Sequence, residues 1–282
     1  MIYLIAVMIV SMISPINFFL YNIIIIFFYI IEMTIRIPPA YKNVYIYPDG
    51  KNKKILAYGF DNKNRKQVIY NPEYVKLQHQ KKYKKILKLN KIFKIIIDDI
   101  NKTINESDKL DIKNYEISII IYLIIYCGFR IGNEKYKCEN NSYGITTLQY
   151  NHLKFNKKNL IIDFIGKKGV RNLSECCNEK IINYLKKKKK INNIDDKIFK
   201  YTSSDVNNFL KEYNPKITSK DLRTWNANNL LLKYIKLPEI KNSKNPVKKA
   251  IEKVAEKLHN TYHICLKSYI NPILIEKLKN KN

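Results

Sequence analysis

The five cysteines of this chain (Cys127, Cys138, Cys176, Cys177 and Cys265) form no CxxC pair. Its four histidines (His79, His152, His259 and His263) form no HExxH-like pattern. This argues against zinc ribbons and HExxH hydrolases, and the cysteines read as reduced, intracellular thiols. Only seven glycines occur, and none of them builds a Walker-type or dinucleotide-binding loop. Chemistry here must run without an evident metal or bound nucleotide. Acidic residues are scarce too: 24 Asp and Glu face 52 Lys and Arg, a formal charge of +28. AT-rich coding, which inflates Lys, Asn, Ile and Tyr, accounts for part of that excess. Its sign still calls for a polyanionic partner, either nucleic acid or an anionic membrane surface.

Residues 1–31 lack charge altogether and are packed with Ile, Phe, Leu and Met. About 20 such residues suffice to cross a bilayer. The segment reads as a membrane anchor, in one piece or as two short pieces broken near Ser14-Pro15. It also reads as an upstream or frameshifted translation product, because Met33 follows at once. It lacks the basic start and small-residue cleavage site of a signal peptide.

What is present begins at Thr34, and 282 residues leave room for more than one domain. Residues 34–80 read as a small β-rich module. Val44–Tyr47, a turn at Pro48-Asp49-Gly50 and Lys54–Tyr58 form a hairpin; a second turn at Asp61–Asn64 leads into Gln67–Tyr70. Residues 82–282 read as a mainly helical domain. Tyr83–Ile100 carries apolar residues at helical spacing, and Ile119–Tyr126 is a buried core helix, too short for a membrane span. Three strands follow: His152–Phe155, Leu160–Ile165 and Val170–Leu173. Helices then run to the end, with breaks near Asn214-Pro215 and Lys241–Pro246. Lys186–Lys190 is most simply a solvated loop or helix end, with lying along phosphates as the alternative.

Four polar residues stand out against this frame. Arg130 leaves the end of the apolar helix beside Gly132, and Lys167 sits in the turn between two strands. Arg223 follows a Thr218-x-x-Asp221 capping box, which puts it and Lys220 near a helix's first turn, where the dipole favours phosphate. Tyr269 lies near the C-terminus. Trp225, the sole tryptophan, reads as a core residue. Two guanidiniums, an ammonium and a tyrosine are what a protein needs to cut a phosphodiester with its own side chain.

The local contexts of these residues agree with one another. They are IPPAYKNVYIYPDGK; GFDNKNRKQVIY; CGFRIGNEKY; YGITTLQYNHLKF with IIDFIGKKG; TSKDLRTWNAN; and VAEKLHNTYHICLKSYINP. In this order, over roughly residues 35–275, they resemble the type IB DNA topoisomerases of the compact poxviral and bacterial kind. The resemblance implies an α+β fold. A small β-rich N-terminal module would precede a mainly α-helical catalytic domain with a three-stranded sheet, the fold shared with tyrosine recombinases.

It further implies Tyr269 as the nucleophile that forms a 3′-phosphotyrosyl bond, and Arg130 and Arg223 as the grips on the non-bridging oxygens. Lys167 would protonate the departing 5′ oxygen. Asn260 stands where the family places His or Asn as a further donor to phosphate, and Lys220 is a secondary candidate donor. In the N-terminal module, Gln67 and Tyr70 fall in a segment that faces the major groove, with Arg65 and Lys66 placed for phosphate. The implied partner is double-stranded DNA, the implied state a monomer, and no cofactor or metal is needed. The implied location is intracellular with DNA: a viral factory or virion if viral, a nucleoid if bacterial.

Three departures stand against the pattern. His259 replaces a glycine before Asn260. Asn64 stands where the second segment has glycine, and the hydrophobic stretch replaces the strands expected before IPPA. A tyrosine recombinase is the alternative enzyme, although its arginine box begins HxLR where this chain has Lys220-Asp221-Leu222-Arg223. A basic DNA-binding relative without catalysis is the alternative that is not an enzyme.

Overall fold

The computed structural model describes residues 35–47, 54–106 and 111–280. The hydrophobic segment 1–31 and the turn at Pro48-Asp49-Gly50 lie outside them. No helix among the described residues is long and apolar enough to cross a membrane. The chain divides into two compact units, residues 1–82 and 83–282.

In the first unit, strands β1 (Lys42–Ile46), β2 (Ile55–Phe60) and β3 (Lys66–Tyr70) form an antiparallel sheet in that order. The β1–β2 register slips between Lys42 and Tyr45, where Asn43 adopts a left-handed backbone (φ 49). The β2–β3 turn is organised by Asp61, whose Oδ1 accepts the backbone N–H groups of Lys63 and Arg65 at 3.0 Å each. Asn64 closes it in the left-handed region (φ 52). A glycine is dispensable there because Asn tolerates that conformation.

Helix α1 (Pro72–Lys88) follows, and the Tyr83–Ile100 run then breaks at Leu89 before α2 (Asn90–Asn105). In the second unit α2 buries Phe93, Ile96, Ile100 and Ile104, one stripe at helical spacing. Helix α3 (Ile112–Tyr126) is buried nearly all round, as a helix at the centre of a core must be. It packs against α2, α6 (Ser203–Tyr213) and α7 (Ser219–Tyr234). After α4 (Glu134–Asn140) comes the antiparallel sheet of β4 (Leu153–Phe155), β5 (Leu160–Ile165) and β6 (Arg171–Cys176), then α5 (Glu179–Ile191). The C-terminal helices are α8 (Pro238–Lys241), α9 (Pro246–Lys257), α10 (Tyr262–Ser268) and α11 (Pro272–Lys279).

Two hydrophobic cores meet along α7. Leu222 and Trp225 belong to the larger one, built on α2, α3, the sheet and α5. Ala227 and Leu231 belong to the smaller one, built on α9 to α11 and including Tyr269 and Ile270. Trp225 is 8% exposed and its indole N–H donates to Asn90 Oδ1 at 2.8 Å, so it is a core residue.

The lysine run is not simply solvated. Lys188 Nζ donates to the buried Glu116 carboxylate at 2.5 Å and to the Ile198 carbonyl at 2.7 Å, and Lys189 donates to the Leu153 carbonyl. An unpaired buried carboxylate is costly, so at least one of these lysines is structural.

Candidate active site

Arg223 and Tyr269 lie at the seam between the two cores, and both are more than nine-tenths buried. The placement of Arg223 starts with the capping box. Thr218 Oγ1 accepts the Asp221 N–H, and Asp221 Oδ2 accepts from the Thr218 N–H at 2.9 Å and its hydroxyl at 2.7 Å. This starts α7 one turn before Arg223. Its guanidinium then donates through Nη1 to the Gly128 carbonyl and through Nη2 to the Leu258 carbonyl at 3.1 Å. Among the described residues, Nε is buried with no partner. A guanidinium has five donors, so Arg223 is fixed by backbone acceptors and still has N–H to offer.

Those acceptors come from two loops that nearly touch. A Cβ on Gly128 would lie 2.0 Å from the Lys257 carbonyl oxygen, and its φ is +71, so only glycine fits. His259 answers from the other loop. It is left-handed itself (φ 51), which explains why glycine suits the position. Its ring stacks on Phe129, and Nε2 lies 3.0 Å from the Cys127 carbonyl. The departure at His259 therefore leaves the turn intact, strapped by two contacts a glycine lacks. Burial lowers the His259 pKa, and the nearby Arg223, Lys257 and Arg130 push the same way against the hydrogen bond to Cys127.

Arg130 emerges just beyond this loop, half-buried, and donates through Nη2 to Asn260 Oδ1. The Asn260 amide nitrogen in turn donates to the Leu258 carbonyl at 3.2 Å. Asn260 thus orients Arg130 and shares an acceptor with Arg223.

Tyr269 caps the C-terminal end of α10, with its N–H on the Cys265 carbonyl at 2.9 Å. The Arg223 guanidinium sits 5.3 Å from its ring centroid. Burial raises the phenol's pKa, but Arg223, Arg130 and Lys220 outweigh it, and the net shift is downward. Burial likewise lowers the Arg223 pKa, with the phenol opposing.

The remaining candidates are placed differently. Lys220 is exposed in the first turn of α7 and reaches Tyr269 only through its charge. Lys167 is exposed at the β5–β6 turn, where Lys168 and Gly169 have positive φ. That turn is tied to the Arg130 segment by a short relay. Tyr143 N–H donates to the Ile165 carbonyl, and Ile145 N–H to the Arg130 carbonyl, both at 2.9 Å. In the first unit, Arg65 and Gln67 both spend donors on Asp61 Oδ2, at 2.9 and 3.0 Å. Lys66 stands 3.8 Å above the Tyr58 ring, and exposed Tyr70 stacks on Tyr74.

Sequence reasoning missed Asn228, on the same helix as Arg223. Its Nδ2 donates to the Tyr269 carbonyl and its Oδ1 accepts the Asn271 N–H, both at 2.9 Å. The signal was faint: WNANN sets asparagines in a helix interior, where they are neutral to unfavourable unless they bond to something specific.

A β module ahead of a helical domain, with the Arg223 guanidinium over the Tyr269 ring, agrees with the class that the comparisons show: a type IB DNA topoisomerase. The model of the eukaryotic DNA topoisomerase I catalytic core matches residues 65–281, and the chain belongs to that family. Its viral relatives are similar over most of their length. The chain is 29% identical over 272 residues to DNA topoisomerase 1B of Acanthamoeba polyphaga mimivirus, covering 87% of this chain and 78% of that protein. It is 24% identical over 258 residues to DNA topoisomerase 1B of vaccinia virus (strain Copenhagen), covering 88% and 81%. A match to DNA topoisomerase I of monkeypox virus is 23% identical over the same length and coverage.

Proposed function

We propose that Tyr269 is the nucleophile of this enzyme and that the residues around it divide the work on one phosphodiester of double-stranded DNA. The phenol oxygen attacks phosphorus, the bond to the 5′ oxygen breaks, and a 3′-phosphotyrosyl link forms. Arg130 and Arg223 donate to the non-bridging oxygens, where charge builds in the transition state. Lys167 gives its proton to the departing 5′ oxygen. Asn260 keeps the Arg130 guanidinium aimed, and Lys220 adds positive charge beside the phenol. The covalent link conserves the energy of the broken bond. The free end swivels, supercoils relax, and the 5′ hydroxyl attacks in reverse without ATP.

One observation carries the assignment of the nucleophile. Tyr269 is buried, which by itself disfavours the phenolate, yet its pKa is lowered by the charges of Arg223 and Arg130 and a hydrogen bond from Arg223. Among the described residues, none of the other tyrosines with a shifted pKa goes down. The unpartnered Nε of Arg223 supports the same reading, since a buried donor without an acceptor fits a site that a phosphate oxygen completes.

The enzyme is read as acting as a monomer. Arg65, Lys66, Gln67 and Tyr70 contact DNA from the N-terminal sheet, Arg65 exchanging Asp61 for phosphate. The deciding experiment incubates the full chain with a duplex whose short leaving strand, bearing the 5′ hydroxyl, dissociates after cleavage, then looks for protein-linked DNA on a denaturing gel. Tyr269→Phe should form no adduct, a loss of at least about 10⁴-fold, while still binding DNA. An adduct of undiminished yield would remove Tyr269 from the role.

A further inference from the structure

Both arms of the site are held from outside by one short stretch of helix. Tyr83, 3% exposed near the end of α1, donates its hydroxyl to the Ile270 carbonyl at 2.5 Å. Ile270 is the residue after Tyr269. Two positions further along α1, Lys85 Nζ makes a 2.7 Å ion pair with Asp221 Oδ2. That carboxylate also closes the capping box that starts α7, two residues before Arg223. The carboxylate is only 12% exposed, and burial of this kind gives an ion pair more positional stiffness than a surface pair has. Burial pushes the Tyr83 phenol far above its usual pKa, so it remains a neutral donor at any working pH.

These contacts lie at the two ends of the geometry that matters. One fixes the turn that presents the phenol. The other fixes the helix that presents the guanidinium. Asn228 joins the same two elements from within α7, but it cannot set where α7 starts. The contacts described for Tyr83 and Lys85 run to Ile270 and Asp221, which position the phenol and the arginine, rather than to the reacting groups.

We propose that the last turns of α1 act as a strut, with Tyr83 and Lys85 as positioning residues that set the spacing between Tyr269 and Arg223. This rests on the assignment of those two residues made above. A misplacement of about 1 Å at a reacting group can slow a reaction by about 100-fold, so a loosened strut is expected to slow cleavage without weakening DNA binding. It is also expected to raise the inflection of the pH–rate profile, because the phenol's depressed pKa depends on how close the guanidiniums lie.

The test is single-turnover cleavage by the full chain at saturating duplex, across pH, with affinity measured separately in the Tyr269→Phe background. Tyr83→Phe should cleave about tenfold more slowly, with its inflection moved up and its Kd within about twofold. Lys85→Met should behave the same way, and Lys85→Arg should recover most of the rate. If Tyr83→Phe fails to fold, the Lys85 variants decide alone. Wild-type rates and an unmoved inflection in a folded Tyr83→Phe or Lys85→Met variant overturn the strut, as does a loss explained entirely by weaker DNA binding. Should Tyr269→Phe itself still form the adduct, the nucleophile assignment fails instead, and the two failures are told apart.

Discussion

The cluster around Tyr269 and the exposed turns that carry Lys167 and Arg65 are built in opposite ways. Arg223 is buried to 3% exposure and tied to carbonyls of two separate loops. Lys167 stands in solvent on a turn held by backbone hydrogen bonds and the Asn172 amide, none of them made by Lys167's own ammonium, and Arg65 is paired with a neighbouring acid. The difference suits the role proposed above for each group. A cation that stabilises a transition state must be aimed before the reaction begins, and only burial and fixed acceptors aim it. A cation that approaches from the side needs reach, which an exposed lysine on a tight turn has. The asymmetry also divides the risk. Changes in the cluster affect both folding and chemistry, whereas changes on the turns affect chemistry or DNA affinity alone.

The comparison breaks most visibly at Arg223. Arg223→Ala should slow cleavage about 10²–10³-fold and also lower the unfolding free energy by about 1–3 kcal/mol, because the Gly128 carbonyl loses the guanidinium and the Leu258 carbonyl keeps only Asn260. Arg223→Lys should rescue neither, since one ammonium cannot span two carbonyls and a phosphate. Single-turnover rates and denaturant melts measure both effects.

At Lys167 the two readouts should separate. Lys167→Ala should slow cleavage about 10²-fold with no measurable change in stability. A substrate with sulfur in place of the 5′ bridging oxygen should restore most of the rate, because a thiolate leaves without a proton. If the sulfur substrate is cleaved no faster by the variant, Lys167 is not the acid.

A smaller effect is expected in the pH dependence of folding. The folded-state pKa of His259 lies below the usual 6.5 because of burial, and His152 shifts the same way for the same reason. Proton uptake therefore favours the unfolded chain. Their contribution is present above about pH 6.5 and is lost as pH falls through the lowered values. Melting temperatures taken from pH 8 down to 5 should fall, and His259→Gly should flatten part of that slope.

The smallest change is expected at Asp61. Its carboxyl is held down to about 2 by hydrogen bonds from Arg65 and Lys63, so the pair persists at all working pH. Asp61→Asn should leave folding unchanged and remove the ion pair that competes with DNA for Arg65, steepening the dependence of log affinity on log salt by about one. An unchanged slope would mean that Arg65 never reaches phosphate.

Much of the fold was legible from local pattern. The alternation in Leu160–Ile165 and the stripe of α2 each appear where their period put them. Thr218 and Asp221 cap α7 as their spacing required. The break at Leu89 was not legible, because no Gly or Pro marks it. The structural use of Lys188 was hidden as well. Five identical lysines in a row give no sign of which one faces a buried carboxylate 72 positions away.

For the site, sequence by itself determined the cast. The ordered contexts of Arg130, Lys167, Arg223, Asn260 and Tyr269 name the candidates for the proposed chemistry, because side-chain type and local motif are written in the chain. Tertiary structure decided how the cast is held. Arg223 rests on Gly128 and Leu258, Tyr269 on Asn228, and Ile270 on Tyr83, which is 187 positions away. Every one of these acceptors is a backbone carbonyl. Every residue has one, so no residue type announces which carbonyl will be used. Only the packing of two cores along one helix selects it.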